Sequence, residues 1–219
     1  AVLGDSDGTA DHIGDLGEFN LQTWGAGRAE PLRVIGPPGV ERVTAGFQEA
    51  YALDTGYRIA HHGADFLPPD IERMRAIPID APPLAAPVLV LEEGGLKITA
   101  FAVDHQPVTP AYGYRFDYRG RSVVVSGDTS KSPGLIAAAH GADVLVHEAQ
   151  DNKLIAMIGD AAAKIGRDRV VKIMHDIPSY HTTPVQAAEA ANEAGVRLLV
   201  LYHLNPPPPN RIVEQVFVR

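Results

Sequence analysis

Four short segments of this chain carry aspartate or histidine in positions typical of metal ligands. The stretch 9–16, which reads TADHIGDL, sets Asp11 and His12 side by side on a predicted tight turn. The other three segments follow apolar runs that predict strands, and they supply His105, Asp128 and His203. Loops at one end of several strands can bring such side chains to a single ion, and zinc accepts imidazole together with carboxylate. One such segment alone is more often an ordinary turn, but the four together favour a metal site.

The composition is that of an ordinary soluble protein with one sizeable core. Charged residues make up 21% and hydrophobic residues 45% of the chain. Its length of 219 residues suits one core, and we expect a single domain over residues 1–219. Cysteine is absent, so any metal has to be held by histidines and carboxylates. No apolar run is long enough to span a membrane and no signal segment opens the chain. We therefore expect no membrane partner. The absence of cysteine leaves the compartment undecided, and a cytoplasmic location is favoured.

The apolar patterns predict both strands and helices. Residues 88–103 and 112–126 each predict a hairpin around a glycine-containing turn. Further strands are predicted at 32–35, 143–147 and 198–201, and helices at 16–24, 40–52, 135–140, 154–165 and 184–194. Hairpins followed by strand–helix–strand units indicate an α/β fold, in which two mixed sheets pack against outer helices.

Residues 60–87 are the least regular part of the sequence. The range holds His61 and His62, and it contains two Pro-Pro pairs, at 68–69 and 82–83. We expect a Pro-rich loop insertion over the surface, which would serve as a lid or a contact region. Adjacent residues of an extended chain point to opposite sides, so we interpret the two histidines as a loop feature rather than as a ligand pair.

A set of ordered motifs carries a family resemblance. Along the chain these are DHIGDL at 11–16, GPPG at 36–39, DH at 104–105 followed by GYR at 113–115, SGDT at 126–129, VHEA at 146–149, YHTT at 180–183 and LYH at 201–203. In this order they resemble the metallo-β-lactamase superfamily, and within it the ribonuclease Z-like and arylsulfatase-like hydrolases. The resemblance implies an αβ/βα sandwich with a metal site at the edge of its two sheets.

The same resemblance implies roles for particular residues. It implies metal ligation by Asp11, His12, His105, Asp128 and His203, with Asp128 bridging two ions if two are bound. It also implies that Glu148 and His181 act together near the leaving group. By its carboxylate chemistry alone, Asp128 or Asp11 can accept a proton from the attacking water. Zinc is the expected metal, with one ion favoured and two compatible with the ligand set.

The chain departs from the family pattern at the first motif, His-x-His-x-Asp-His. Residues 7–12 read DGTADH, so Asp7 and Thr9 stand where the leading histidines belong. One metal position therefore keeps only His105 and the shared Asp128, whereas the other keeps its four ligands. Family members also begin with two or more strands before this motif, and we expect those N-terminal strands to be missing here.

Three functions fit this sequence. A metal-dependent hydrolase would use a zinc-activated water on a small ester, sulfate ester, lactone or phosphodiester. A ribonuclease Z-type tRNA 3′-processing endonuclease fits the family branch, but such an enzyme needs cationic side chains along the RNA backbone. The third function is that of a degenerate, non-catalytic metal-binding domain. The net charge of −8 favours the first function, so we expect a small-molecule substrate. Nucleic acid is disfavoured as a partner. A homodimer is compatible with the sequence.

Overall fold

The computed structural model describes residues 2–4, 9–79 and 86–218 of the chain. The chain divides into two compact units, Ala1–Asp80 and Ala81–Arg219. Within the described residues each unit has a sheet of its own, with three strands in the first and six in the second. The predicted α/β class with two sheets and helices is therefore confirmed. The single domain over residues 1–219 stays a prediction.

The first unit is built on a parallel sheet. Its strands are, in spatial order, β1 (Val2–Gly4), β2 (Leu32–Gly36) and β3 (Met74–Pro78). The helices that connect them in the described residues are α1 (Ala10–Ile13), α2 (Leu16–Gly25), α3 (Val40–His62) and α4 (Pro69–Glu72). Both strand pairs are parallel, so this sheet is not mixed as predicted. Parallel pairing fits the helices between the strands, because parallel strands need a crossover connection.

The core of the first unit packs α3 and the start of α2 against the sheet. Leu32 and Val34 of β2 are buried together with Val40, the first residue of α3. A neighbouring cluster surrounds Trp24, whose side chain is 1% exposed. The Trp24 indole nitrogen donates a hydrogen bond of 2.9 Å to the carbonyl of Pro68, which satisfies the one polar atom of this side chain.

A buried polar network ties α2 to α4 in the same unit. The Asn20 side-chain amide donates to the backbone carbonyl of Glu72 at 2.8 Å, and the Arg28 guanidinium donates to the Asn20 side chain at 2.9 Å. Burial raises the pKa of Glu72 and lowers the pKa of Arg28, while the attraction between the two charges opposes both shifts. The hydrogen bonds offset the cost of burying these polar groups.

Part of the range predicted as a loop, residues 60–87, is regular. Helix α3 continues to His62, beyond its predicted end at residue 52, and α4 and β3 follow. Pro69 opens α4 instead of preventing it, since proline suits the first turn of a helix. The loop prediction is therefore corrected for residues 69–78. The second Pro-Pro pair lies outside the described residues.

The second unit is a mixed sheet. Its strands are, in spatial order, β4 (Val88–Glu93), β5 (Leu96–Ala102), β6 (Tyr112–Tyr118), β7 (Arg121–Val125), β8 (Val144–Gln150) and β9 (Leu198–Asn205). The pairs β4–β5 and β6–β7 are the two predicted hairpins. Their two-residue turns have positive φ at both positions, including 48° at Arg119, as twisted hairpins require. The later strands β7, β8 and β9 are mutually parallel.

Helices cover this sheet and connect its parallel strands. In the described residues they are α5 (Pro133–Ala138), α6 (Asn152–Lys164), α7 (Asp168–Asp176), α8 (Pro184–Glu193) and α9 (Arg211–Glu214). Helix α8 begins with a capping box, in which the Thr183 hydroxyl accepts from the Gln186 backbone amide and the Gln186 side chain accepts from the Thr183 amide. Among the described helices, none has both the length and the apolar composition that crossing a membrane requires.

The core of the second unit is centred on β8. Leu145 is fully buried and packs in a cluster with Phe101, Val124 and Leu135. On the neighbouring strand β9, Leu198 is 54% exposed. These two leucines therefore provide a buried position and a matched exposed position on adjacent strands.

We expect Leu145→Ala to lower the free energy of unfolding by about 2–5 kcal/mol, because the truncation leaves a cavity that the sheet and α5 cannot close. Leu198→Ala is the control, with an expected loss below about 1 kcal/mol. Urea unfolding followed by circular dichroism measures both values. Equal losses for the two variants would show that β8 is not the centre of this core.

Candidate active site

The carboxyl ends of four strands meet at one edge of the six-stranded sheet. Strands β7, β8 and β9 are parallel to each other. Strand β5 runs in the same direction, because it is antiparallel to β6 and β6 is antiparallel to β7. At or just after these four ends lie His105, Asp128, Glu148 and His203. The predicted delivery of side chains by loops at one end of several strands is thus found within the second unit.

The carboxylate of Glu148 connects two loops at this edge. Its Oε1 atom accepts from the backbone amide of Thr129 at 3.1 Å and from the backbone amide of Thr182 at 3.2 Å. The same oxygen lies 2.9 Å from Nδ1 of His181. One buried oxygen therefore fixes the loop that carries Asp128 and the loop that carries His181.

Glu148 has no contact with solvent. The residue is 0% exposed, and among the described residues its Oε2 atom has no hydrogen-bond partner. Burial raises the pKa of Glu148, and the hydrogen bond and charge of His181 oppose that shift, as does the Thr129 amide. With Oε1 as acceptor, Nδ1 of His181 carries the proton, which fixes the tautomer and the orientation of the imidazole. The buried carboxylate of Glu148 therefore orients the His181 imidazole and is itself shielded from solvent.

Three imidazoles stand next to one another at the same edge. The His181 ring lies 5.2 Å from the His105 ring and 6.1 Å from the His203 ring, measured between ring centroids. His105 is 6% exposed, and its Nδ1 lies 3.0 Å from the backbone carbonyl of Tyr180. A carbonyl can only accept, so Nδ1 is the protonated nitrogen of His105 and Nε2 keeps its lone pair for a ligand.

A β-bulge aims His203 at Asp128. In the pairing of β8 with β9, Glu148 faces Tyr202 and Ala149 faces Leu204, so His203 is the extra residue of the bulge. Its backbone is left-handed, with φ of 45°. His203 Nδ1 lies 3.4 Å from Oδ1 of Asp128, which is 3% exposed. The bulge thus turns a side chain of β9 toward the loop that follows β7.

The donor set at this edge fits a divalent metal. Ligands at about 2.0–2.2 Å around a tetrahedral zinc lie roughly 3.3–3.6 Å apart, and the distance of 3.4 Å between His203 and Asp128 falls in this range. Ligand atoms of Asp128, Glu148 and His181 also lie within 4.8 Å of one another. Since Glu148 Oε1 is already engaged by two amides and an imidazole, the pair of Asp128 and His203 is the candidate metal site of the second unit.

The remaining predicted ligands belong to the first unit. Asp11 and His12 lie on the short helix α1, which begins one residue after Thr9. Asp11 is exposed and His12 is partly buried. Their part in a metal site stays a prediction. Asp7, the residue in place of the first family histidine, lies outside the described residues.

His147 is a buried neighbour of this edge. It is 0% exposed, and its Nδ1 donates to the carbonyl of Glu148 at 2.8 Å. Burial lowers the pKa of His147, so the neutral form is favoured. The sequence interpretation of His147 as a packed residue at the end of a strand, and not as a ligand, agrees with this placement.

Two supporting residues were not predicted from the sequence. The Thr182 hydroxyl donates to the carbonyl of Thr129 at 2.5 Å, which adds a direct bond between the two loops. The Tyr202 hydroxyl is hydrogen-bonded to the Ser126 side chain and the Gly127 backbone, and burial raises the pKa of Tyr202. The only signal in the sequence is that each is next to a predicted site residue. Thr183, and not Thr182, is the N-cap of α8.

The chain matches one known protein family along most of its length. The sequence profile of the family described as "Beta-lactamase superfamily domain" matches residues 5–204, which is most of the chain. The chain belongs to the metallo-β-lactamase superfamily. Proteins of this superfamily are metal-dependent hydrolases that typically use zinc, in agreement with the enzyme class predicted from the motifs.

Within the superfamily the chain is ribonuclease Z-like. It is 36% identical to the ribonuclease Z of Mycolicibacterium gilvum over 90% of its own length, and 37% identical to that of Mycobacterium avium over the same share. The chain spans 63% and 64% of the length of these two relatives. It covers 80% of a putative ribonuclease Z of Mycobacterium tuberculosis, with 36% identity. The arylsulfatase-like part of the predicted resemblance stays a prediction.

Solved structures agree on the fold. The metallo-β-lactamase fold protein YhfI of Bacillus subtilis superposes with a TM-score of 0.57 and 18% identity, over 99% of this chain and 71% of that one. Human tRNase Z, short form, superposes with a TM-score of 0.58 and 20% identity, over 93% of this chain and 71% of that one. At these identities the superpositions support the fold alone.

The predicted partner class is wrong. A small-molecule substrate was favoured, and nucleic acid was disfavoured, because the net charge is −8. The relatives at 36–37% identity are named as ribonucleases, which are enzymes that act on RNA. The error has a physical reason: net charge is a sum over the chain, whereas RNA binding depends on where the cations lie.

The left-handed backbone at His203 leads to a prediction about stability without metal. We expect His203→Gly to be more stable than His203→Ala by roughly 0.5–1.5 kcal/mol, since only glycine adopts positive φ without strain. Denaturant unfolding in the presence of a chelator measures the difference.

The same pair of substitutions at Leu201 is the control. Leu201 lies two residues earlier in β9, where a glycine is expected to be less stable than an alanine by about 0.5–1 kcal/mol. A glycine that is the less stable residue at both positions would contradict the bulge at His203.

Proposed function

We propose that this protein is a zinc-dependent endoribonuclease of the ribonuclease Z type, which cleaves a phosphodiester bond at the 3′ end of a tRNA precursor. The observation that carries the proposal is the identity of 36–37% to proteins named ribonuclease Z, over 90% of the chain. The site residues of the second unit support the proposal. They combine two candidate metal ligands, Asp128 and His203, with a candidate proton donor, His181.

We propose that one zinc ion is held by Asp11, His12, Asp128 and His203. The support from geometry is the spacing of 3.4 Å between the Asp128 and His203 donor atoms, and the support for the other two is the DHIGDL motif. His105 and Asp128 are the ligands of a second position, which lacks two family histidines. When bound, the metal supplies a water of lowered pKa as nucleophile and a positive charge beside the phosphate.

In the proposed reaction His181 protonates the leaving oxygen. Glu148 fixes the Nδ1 side of the ring through the contact of 2.9 Å, so Nε2 is the nitrogen that exchanges a proton with substrate. The carboxylate also stabilises the imidazolium that donates this proton. Asp128, or Asp11, accepts the proton of the attacking water. Attack of water on phosphorus breaks the bond from phosphorus to one ribose oxygen, and this alkoxide is a poor leaving group unless a donor such as His181 protonates it.

Cleavage of a tRNA precursor with a 3′ extension tests the proposed function. The zinc-loaded protein is expected to release the extension as one fragment and to bind one zinc ion per chain. Asp128→Asn is expected to lose both zinc and cleavage, because it replaces a charged ligand. Asp160→Asn, an identical change at an exposed position of α6, is the control and should alter neither.

Elemental analysis and gel electrophoresis of the reaction give the two readouts. Zinc binding by the wild-type protein without RNA cleavage would refute the nuclease and would favour the non-catalytic metal-binding domain. Two tightly bound ions per chain would refute the single-ion site.

A second prediction separates the role of His181 from that of a metal ligand. His181→Ala is expected to lower kcat about a hundred- to ten-thousand-fold on RNA, with zinc content unchanged. On model phosphodiesters the loss should be larger for an alkyl leaving group than for p-nitrophenolate, since the latter needs no proton. His175→Ala, at an exposed histidine of α7, is the control and should leave kcat unchanged.

Equal losses for good and poor leaving groups would exclude the acid role of His181. Loss of zinc would instead make His181 a ligand, together with Asp128 and Glu148.

A further inference from the structure

Helices α6 and α7 lie in the chain between Glu148 and His181. Helix α6 starts directly after β8, the strand that carries Glu148, and α7 leads through a 3₁₀ turn, Ile177–Ser179, to Tyr180 and His181. The start of α6 and the end of α7 therefore lie next to the active-site edge. Helix α6 has 13 residues, so at 1.5 Å per residue its far end lies about 20 Å from its start.

The connection between the two helices concentrates positive charge. Lys164, Arg167 and Arg169, which we name the basic turn, are all exposed. Asp168 is the one acidic residue among them, and it opens α7, where a carboxylate is favourable at a helix N-terminus. Ile165, in the same turn, is 68% exposed.

The cations of the basic turn differ from several other cations in the second unit, which are held in ion pairs. Among the residues that the structure describes, none of the three makes an ion pair. Elsewhere, Lys131 pairs with Glu189 and Glu193 at 3.0 and 2.6 Å, and Arg121 and Arg197 both pair with Asp143 at 3.0 Å. Lys172, further along α7, pairs with Asp176 at 2.5 Å. In a chain with net charge −8, the basic turn is a place where positive charge is left for an external anion.

We propose that the basic turn binds the phosphate backbone of the RNA substrate, about one helix length from the bond that is cleaved. This inference rests on the proposed ribonuclease function and deepens it. Guanidinium groups match phosphate geometry with two parallel hydrogen bonds, and an ammonium group adds a point charge. The RNA backbone is a polyanion, so each contact releases bound counterions and strengthens binding. The turn would hold the helical part of the RNA while its 3′ end enters the site.

The test removes the three charges together. The variant Lys164→Gln, Arg167→Gln, Arg169→Gln is expected to raise KM for the tRNA precursor about 10- to 100-fold, with the loss in KM rather than in kcat. We also plot the logarithm of the binding constant against the logarithm of the salt concentration. The magnitude of the slope should fall by roughly 2–3, since each lost phosphate contact removes about 0.7–0.9. Zinc content and thermal unfolding check that the variant is folded.

Two further variants complete the experiment. Lys97→Gln, Arg119→Gln removes two exposed cations at the opposite end of the strands of the same sheet and should change neither KM nor the salt slope. Arg167→Lys, Arg169→Lys keeps the charge and should keep most of the slope. If this variant lost as much as the neutral one, charge would not be what the turn supplies.

The outcomes distinguish this inference from the proposed function. If the wild-type protein neither binds nor cleaves the precursor RNA, the proposed function itself fails. If it cleaves RNA and the neutral variant has the KM and salt slope of the wild type, only the basic turn is excluded as an RNA contact. A change in molar mass by light scattering, with an unchanged salt slope, would make the turn an interface between copies of the chain and would overturn the inference.

Discussion

The hydrogen bonds to one oxygen of Glu148 hold the active-site edge of the second unit together. Two backbone amides, from Thr129 and Thr182, and the imidazole of His181 converge on Oε1. The position is fully buried, so these bonds are not weakened by exchange with water. If the carboxylate were lost, buried amides on two separate loops would lose their acceptor, and the spacing between Asp128 and His181 would no longer be fixed.

A strained backbone and a candidate metal ligand occur at the same residue. His203 adopts φ of 45° in a bulge of β9, which is costly for a side chain with a β-carbon. The bulge brings Nδ1 within 3.4 Å of Asp128. Binding of a divalent ion between these groups would offset both the strain and the desolvation of Asp128, because metal binding to the folded state adds to its stability. The geometry therefore links the proposed ion to the conformation of β9.

The distribution of charge is more informative than its sum. The net charge of −8 led to the prediction of a small-molecule substrate, whereas the relatives are named as ribonucleases. Several cations of the second unit are neutralised in ion pairs, and the sequence does not reveal which ones. In the folded chain, Lys164, Arg167 and Arg169 stand outside these pairs. A polyanion responds to such a local group of cations, since the Debye length at physiological salt is only about 8 Å.

The sequence by itself determined the family, the fold class and the elements with strong local signals. The turns at Gly94-Gly95 and Arg119-Gly120 fixed two hairpins, and Pro184 after Thr183 marked the start of α8, because turn and cap chemistry is local. Helix α7 and strand β3 were missed: α7 has no buried residue in the structure, and β3 is recognisable only by its pairing with β2. The motifs singled out Asp128, Glu148, His181 and His203. Contacts between residues far apart in the chain decided that Glu148 is buried against His181 and that a bulge turns His203 toward Asp128. Such contacts depend on how strands and loops pack, which a one-dimensional pattern does not contain.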